Sequence, residues 1–225
     1  MTSFKTTLAS LSLAAMLAVT GVTGIDATGT GMFTAQPAAA HTMGAAADLR
    51  VALNQLLAEH AWLAAAATNA ALRGRAKEFE AAAWALDMNS QDIAKAIGSV
   101  YGAEAEQAFL PLWRKHIGMV VDYTVGVASS DRAKQDKAVS DLIGYTQDFG
   151  AFLQSANPNL PKAVVADLVK HHVVTLKEVI DVQAAGDQTK AWKSVRTAAG
   201  HMAKIADPLA AAIMKQFPNR YASAQ

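Results

Sequence analysis

The sequence predicts an all-α protein in which three tandem helical hairpins form a six-helix bundle with antiparallel neighbours. Hydrophobic residues make up 52% of the 225 residues but aromatic residues only 7%, and most of the excess is alanine, the strongest helix former. A short phrase ending in histidine also recurs at nearly constant spacing, and each copy lies near the middle of a helix-like stretch. The copies are Leu57-Ala58-Glu59-His60, Trp113-Arg114-Lys115-His116 and Leu168-Val169-Lys170-His171, and their histidines are 56 and 55 residues apart.

The first forty residues have the pattern of an export signal. Lys5 gives a positive start, residues 8–19 form an apolar run, and Ala38 and Ala40 satisfy the small-x-small rule for cleavage before His41. We therefore expect a signal peptide over 1–40 and a secreted or cell-surface, extracytoplasmic protein. Its mature part would comprise a flexible lead-in over 41–47, the bundle over 48–218 and a tail over 219–225.

The first hairpin is predicted from apolar residues at helical spacing. Leu49, Leu53, Leu56, His60 and Leu63 follow one another in steps of four and three, which places them on one face of a helix. His60 should therefore face the packing seam. Asp48 would cap this helix, which should end near Leu72 at the turn Arg73-Gly74-Arg75. A second helix should cover 76–97 and break over 98–102.

The second and third hairpins repeat this plan. Pro111 should kink or delay the third helix, and Asp131 should cap a fourth helix that ends near Leu153. A break over 157–161 precedes the fifth helix, and the last helix should cover 188–214 with a kink at Pro208. The turns fall at Gly74, Ser130 and Gly186, so each repeat of about 55 residues comprises a whole hairpin, a unit that buries its apolar face only against its neighbours.

Composition and motifs exclude several functions. Twenty basic against nineteen acidic residues, without a basic tract, argue against nucleic-acid binding. No stretch of the mature chain is apolar over eighteen residues, so no transmembrane segment is expected there. The chain has no cysteine, and we find no catalytic motif and no catalytic residue to name, which disfavours a dedicated enzyme.

Histidine supplies the candidate chemistry. Imidazole is a common ligand of copper, zinc and iron, and helical bundles build metal and haem sites from facing helices. The candidate ligands are His60, His116, either His171 or His172, and His201, with the Met119 thioether as a soft partner for copper or haem. Cleavage after Ala40 would also expose a His41 amino terminus, which can chelate Cu(II), although an unstructured terminus is the simpler interpretation.

The alternatives to a metal or haem site require no cofactor. The repeated histidines could simply pack in the core, with their nitrogens bonded to carbonyls or carboxylates. Repeats stacked side by side would place equivalent histidines about 10 Å or more apart, so the histidines could converge only in a closed arrangement. A non-catalytic cell-envelope structural or protein-interaction module, with or without homo-oligomerisation, therefore stays open. Packing is the simplest interpretation of Trp62, Trp84, Trp113 and Trp192.

Longer phrases carry a resemblance to a protein family. They are Phe109-Leu-Pro-Leu-Trp-Arg-Lys-His116, Asp148-Phe-Gly-Ala-Phe-Leu-Gln-Ser-Ala-Asn-Pro158 and Ile205-Ala-Asp-Pro-Leu-Ala-Ala-Ala-Ile213. Nearly all of residues 48–218 resembles an uncharacterised group of secreted helical proteins from Gram-positive, largely spore-forming bacteria. Some members are joined to a small domain named after the N-terminal domain of copper amine oxidases. The resemblance implies an exported helical protein and weakly favours copper, but it assigns no chemistry to individual residues.

Overall fold

A computed structural model describes residues 45–221, and this part of the chain is an all-α helical bundle. The export signal and His41 predicted from the sequence lie outside the described residues. The helices are α1 (Ala45–Leu72), α2 (Ala76–Tyr101), α3 (Ala103–Ala128), α4 (Arg132–Ala156), α5 (Lys162–Ala185), α6 (Gln188–His201), α7 (Ala203–Gln216) and α8 (Pro218–Tyr221).

Three tight connections end α1, α3 and α5 in the same way. Gly74, Ser130 and Gly186 each adopt a positive φ, of 66°, 56° and 85°, which is the left-handed conformation that commonly terminates a helix. The side chains of Asp131 and Asp187 then accept hydrogen bonds from the backbone N–H groups of Lys134 and Lys190, at 3.0 Å and 2.9 Å. These N-caps start α4 and α6 at the predicted positions.

The predicted start of α1 and the predicted end of α2 are wrong. Helix α1 begins at Ala45, so Asp48 lies in its first turn and is not its cap. Helix α2 continues through Gly98 and ends at Tyr101, before Gly102 with a φ of 91°. Gly98 instead permits a close approach of α3, because a Cβ atom there would overlap the Glu106 side chain, whose own Cβ atom would be only 2.8 Å away.

Two prolines lie inside helices, and the delayed start that Pro111 predicts for α3 does not occur. Pro111 lies inside α3, which already begins at Ala103. Pro208 lies inside α7, and the predicted last helix instead divides at Met202 into α6 and α7. The lost hydrogen bond at each proline is local, and the flanking residues pack well enough to keep the helix.

The core consists of two apolar clusters along the bundle. The larger one surrounds Phe109, Trp113 and Phe149, and the smaller one surrounds Tyr123 and Ile180. Helix α1 contacts α2, α3, α5, α6 and α7 and is therefore central to the packing. None of the helices between residues 45 and 221 combines the length and the apolar character needed to cross a membrane.

The tryptophans divide into one core residue and three surface residues. Trp113 is buried in the larger cluster, as packing requires. Trp62 and Trp192 contact each other across α1 and α6, with ring centroids 6.2 Å apart, yet remain 41% and 60% exposed. Trp84 is 67% exposed, so packing in the core is wrong for this residue.

A buried polar network joins the carboxyl-terminal ends of α2, α4 and α7. Asn157 directly follows α4 and donates to the Tyr101 hydroxyl at 3.0 Å, and that hydroxyl donates to Gln216 Oε1 at 3.0 Å. Gln216 in turn donates to the Ala156 carbonyl at 3.0 Å. Because the side chain of Asn157 is fully buried, these bonds satisfy groups that would otherwise destabilise the fold.

Two glycines of α4 make a matched test of the close packing between α4 and α5. A Cβ atom at Gly150 would lie 2.6 Å from the Lys162 carbonyl oxygen, whereas one at exposed Gly144 would meet nothing within 4 Å. We expect Gly150→Ala to lower the free energy of unfolding by about 1–3 kcal/mol through overpacking. Gly144→Ala should raise it by about 0.5–1 kcal/mol through helix propensity. Denaturant unfolding measures both, and equal effects would contradict the close approach.

Candidate metal centre

Three histidines from alternate helices meet in the interior of the bundle. His60 of α1, His116 of α3 and His172 of α5 have exposures of only 1%, 4% and 5%. One ring nitrogen from each can be chosen so that all three lie within 4.8 Å of one another. The Nε2 atoms of His60 and His116 are 3.4 Å apart. The described chain thus places three neutral nitrogen donors around one point.

The same local pattern brings each histidine to this point. Each ring follows, on the same helix face, two buried side chains located seven and three residues earlier. These residues are Leu53, Leu57 and His60 in α1, Phe109, Trp113 and His116 in α3, and Val165, Val169 and His172 in α5. Equivalent positions are 56 residues apart throughout, so one repeated helix face places all three ligands.

The three rings have very few hydrogen-bond partners. Within the described chain, His60 and His116 can share one hydrogen bond between their Nε2 atoms. Nδ1 of His60, Nδ1 of His116 and both nitrogens of His172 are buried without a partner. A buried polar atom without a partner costs about 1–3 kcal/mol, and such atoms commonly indicate a water molecule or an ion.

Two aromatic residues complete the wall of the site. The ring centroid of Trp113 lies 4.9 Å from that of His60 and 4.6 Å from that of His116. Tyr145 stacks on His116 with its ring centroid 5.2 Å away. The indole N–H of Trp113 and the hydroxyl of Tyr145 also lack hydrogen-bond partners, so polar atoms without partners cluster around the histidines.

Burial keeps the three imidazoles neutral. Loss of water lowers the pKa of His116 to about 3 and that of His172 to about 4, with a smaller effect from a neighbouring histidine in each case. The pKa of His60 also lies well below its usual value, through burial and then through His116 and His172. The Trp113 carbonyl opposes the shift of His116 only weakly and makes no hydrogen bond to Nδ1. Neutral imidazole is the form that binds metals.

Two cavities flank the histidines. A cavity of about 220 Å³ has His60 and His116 in its wall and alanine, valine and leucine side chains around it. Its other end is lined by Val121 and Val125, which are 40% and 45% exposed, so this cavity provides a route from the surface. A second cavity of about 50 Å³ adjoins His116 and His172 on the side of the larger core cluster.

The structure brings three of the predicted ligands together and places the others away from them. His172 belongs to the group of three, whereas neighbouring His171 is exposed and stacks on His201 with ring centroids 4.2 Å apart. Nε2 of His201 lies 3.1 Å from the Leu168 carbonyl oxygen, as expected for a packed histidine. Met119 packs against the larger core cluster and lines neither cavity.

The sequence contained an unused signal for the third ligand. The recurring phrase ends at His171 and the sequence leaves His171 and His172 both open, but a constant period of 56 residues selects His172. Trp113 was expected to face inward, yet its contact with the histidines was not foreseen. Nothing in the sequence identified Tyr145, because its helix supplies no histidine and its position follows only from the packing of α4 on α3.

No family model, no curated protein and no solved structure matches this chain. The resemblance to secreted helical proteins therefore stays a prediction. The function of the centre has to be inferred from its geometry and chemistry.

The lowered pKa values predict a specific loss of stability in acid. Between pH 6.5 and about 4 these histidines bind protons in the unfolded chain but not in the folded protein. The free energy of unfolding therefore falls as the pH falls. Each such group contributes a slope of up to about 1.4 kcal/mol per pH unit. Because His172→Leu removes one of them, we expect a shallower decline over this range in metal-free protein. Denaturant unfolding at a series of pH values measures it, and an unchanged slope would show that His172 titrates normally.

Proposed function

We propose that this protein binds a single transition-metal ion through His60, His116 and His172. The observation that carries the proposal is the convergence of three buried imidazoles whose ring nitrogens have almost no other hydrogen-bond partners. An ion at their centre would accept a lone pair from each ring. It would thereby take up the lone pair of one nitrogen in each ring, and the other nitrogen of each ring would carry the proton.

The distances suit such an ion. Metal–imidazole bonds of 2.0–2.1 Å place two ligand nitrogens roughly 3.3–3.6 Å apart in tetrahedral or trigonal geometry. The distance of 3.4 Å between the Nε2 atoms of His60 and His116 agrees with this range. The remaining nitrogen pairs lie within 4.8 Å, so an inward shift of the third ring by at most about 1 Å would bring its nitrogen to bonding distance. A rotation about its side-chain torsions would suffice.

The geometry favours a bare ion over haem. Two axial histidines lie on opposite faces of a haem, and a third imidazole at the same point would collide with the macrocycle. The adjoining cavities of about 50 and 220 Å³ are also smaller than the typical 300–1,000 Å³ of sites for larger ligands. The packing alternative predicted nitrogens bonded to carbonyls or carboxylates, and His201 alone among these buried histidines has such a carbonyl partner.

We also propose the finer architecture that the sequence predicts, three tandem hairpins closed around the metal. The left-handed residues Gly74, Ser130 and Gly186 support it, because they recur at the same 56-residue period as the ligands. Each hairpin would donate one histidine from its first helix. The export signal suggests an extracytoplasmic setting for this metal protein, where its lack of cysteine leaves histidine as the main ligand type.

A second candidate function is a protein-interaction module of the cell envelope. The exposed tryptophans Trp62, Trp84 and Trp192 favour it, since large aromatic side chains at the surface are enriched at interfaces. This candidate requires no metal and would account for the near-zero net charge equally well.

Metal binding is tested on the untagged full chain by elemental analysis and isothermal titration. We expect one ion per chain and, at a thousandfold excess over the dissociation constant, about 4 kcal/mol of stabilisation. The melting temperature should then rise by roughly 10 °C. Absence of any bound copper, zinc or iron after reconstitution would refute the proposal and favour the interaction module.

A variant with an apolar side chain separates a ligand from a packing residue. His172→Leu should reduce metal affinity at least about 100-fold, beyond the effect of losing an outer-shell partner. It should leave the metal-free protein as stable at pH 8 or more so, because it removes buried nitrogens without partners. His171→Ala, next to it but exposed, is the control and should bind metal normally. A large loss of metal-free stability in His172→Leu would indicate a structural role.

A further inference from the structure

The electrostatic surroundings of the three histidines discriminate between metal ions by charge. Among residues 45–221 no aspartate or glutamate joins the three histidines, and the chain has no cysteine. A bound ion would therefore keep its whole formal charge, because imidazole is neutral. Both adjoining cavities are lined mainly by apolar side chains. The Trp113 indole N–H and the Tyr145 hydroxyl are the free polar groups beside the histidines in the described chain, so the surroundings supply few dipoles to replace water.

Charge enters the cost of burial as its square. Moving an ion from water to a medium of low dielectric constant costs a dication about four times as much as a monocation of equal size. Zn(II) sites commonly offset this cost with thiolates, carboxylates or bound hydroxide. None of these groups is part of the centre formed by His60, His116 and His172.

The preferred coordination number of Zn(II) also disfavours Zn(II) at this centre. Protein zinc sites are almost always four-coordinate, and catalytic ones use a water molecule as the fourth ligand. In the larger cavity, that water would lie against Ala64, Val120 and Leu176, each four residues after one of the histidines. These side chains offer no hydrogen bond to it. A monovalent d¹⁰ ion can be three-coordinate with its ligands in one plane, and it then needs no water molecule as a fourth ligand.

We infer that the centre selects monovalent copper over Zn(II) and Cu(II). This inference rests on the proposed function, since it names the ion that the same three ligands would hold. In an open aqueous site the Irving–Williams order would favour Cu(II) among the divalent ions. In apolar surroundings the larger desolvation cost of a dication opposes that preference. The surface cavity beside Val121 and Val125 would admit the ion, which must shed its water before reaching the histidines.

The selectivity is tested by competition in the absence of oxygen. Cu(I) held by a colorimetric chelator is offered to the full-length, untagged protein, with ascorbate as reductant, and Zn(II) is then added in tenfold excess. We expect one Cu(I) per chain, retention against Zn(II), and a Cu(II)/Cu(I) reduction potential raised above that of copper with imidazole in water. Displacement by Zn(II), or tighter binding of Cu(II) through the same histidines, would overturn the inference. The proposed metal site would survive that result, whereas absence of all metal binding would refute both.

A single added charge in the cavity wall provides the sharper test. Val120 lies one turn after His116, lines the larger cavity and is partly exposed, so a polar side chain can be accommodated there. Val120→Asp should favour Zn(II) over Cu(I) by about 10- to 100-fold relative to the wild type, because a carboxylate near the ion attracts a dication more strongly. Val120→Asn matches its shape without the charge and should change this ratio little. If both variants are folded and have the same ratio of Zn(II) to Cu(I) affinity, charge is not the basis of selection. If either variant is unfolded, the competition experiment on the wild type decides.

Discussion

The structure depends on a conflict between burial and solvation at His60, His116 and His172. The three histidines lie on the faces of α1, α3 and α5 that form the core, so their rings are buried together with the apolar residues of those faces. Once there, their nitrogens find almost no partner other than one another. Protonation cannot relieve the conflict, because a charged imidazole in the same place would cost still more. An ion that accepts one lone pair from each ring would relieve the part of the conflict that comes from those lone pairs.

The repeat explains how three ligands can meet without any loop to position them. A period of 56 residues places each histidine at the same height and on the same face of its helix, so closing the bundle brings the three together. The left-handed residues Gly74, Ser130 and Gly186 end α1, α3 and α5 in the same way. Sites carried by packed helices are held more rigidly than sites on loops, so the relative positions of the three rings are well defined.

The sequence predicts the helices better than it predicts where the histidines of those helices come together. Alanine content and spacing were sufficient for the all-α class, and the aspartate caps placed the starts of α4 and α6. Local rules failed where tertiary contacts decide, as at Gly98, which serves the approach of α3, and at Met202, where the last helix divides. Convergence of the histidines could be stated only as a condition, since a side-by-side array keeps such residues about 10 Å apart. Whether the repeats close is a property of the whole chain and of no single segment.

The repeats themselves indicate that the centre is more than packing. Their other cavity-lining positions have diverged freely, to Ala64, Val120 and Leu176 one turn beyond the histidines. A leucine would fill the histidine position at similar volume and would leave no nitrogen without a partner. With each such atom costing about 1–3 kcal/mol in a fold whose total stability is about 5–15 kcal/mol, packing alone would favour that replacement in every repeat. Histidine occupies the position in all three, which supports the proposed coordination of one ion by the three rings together.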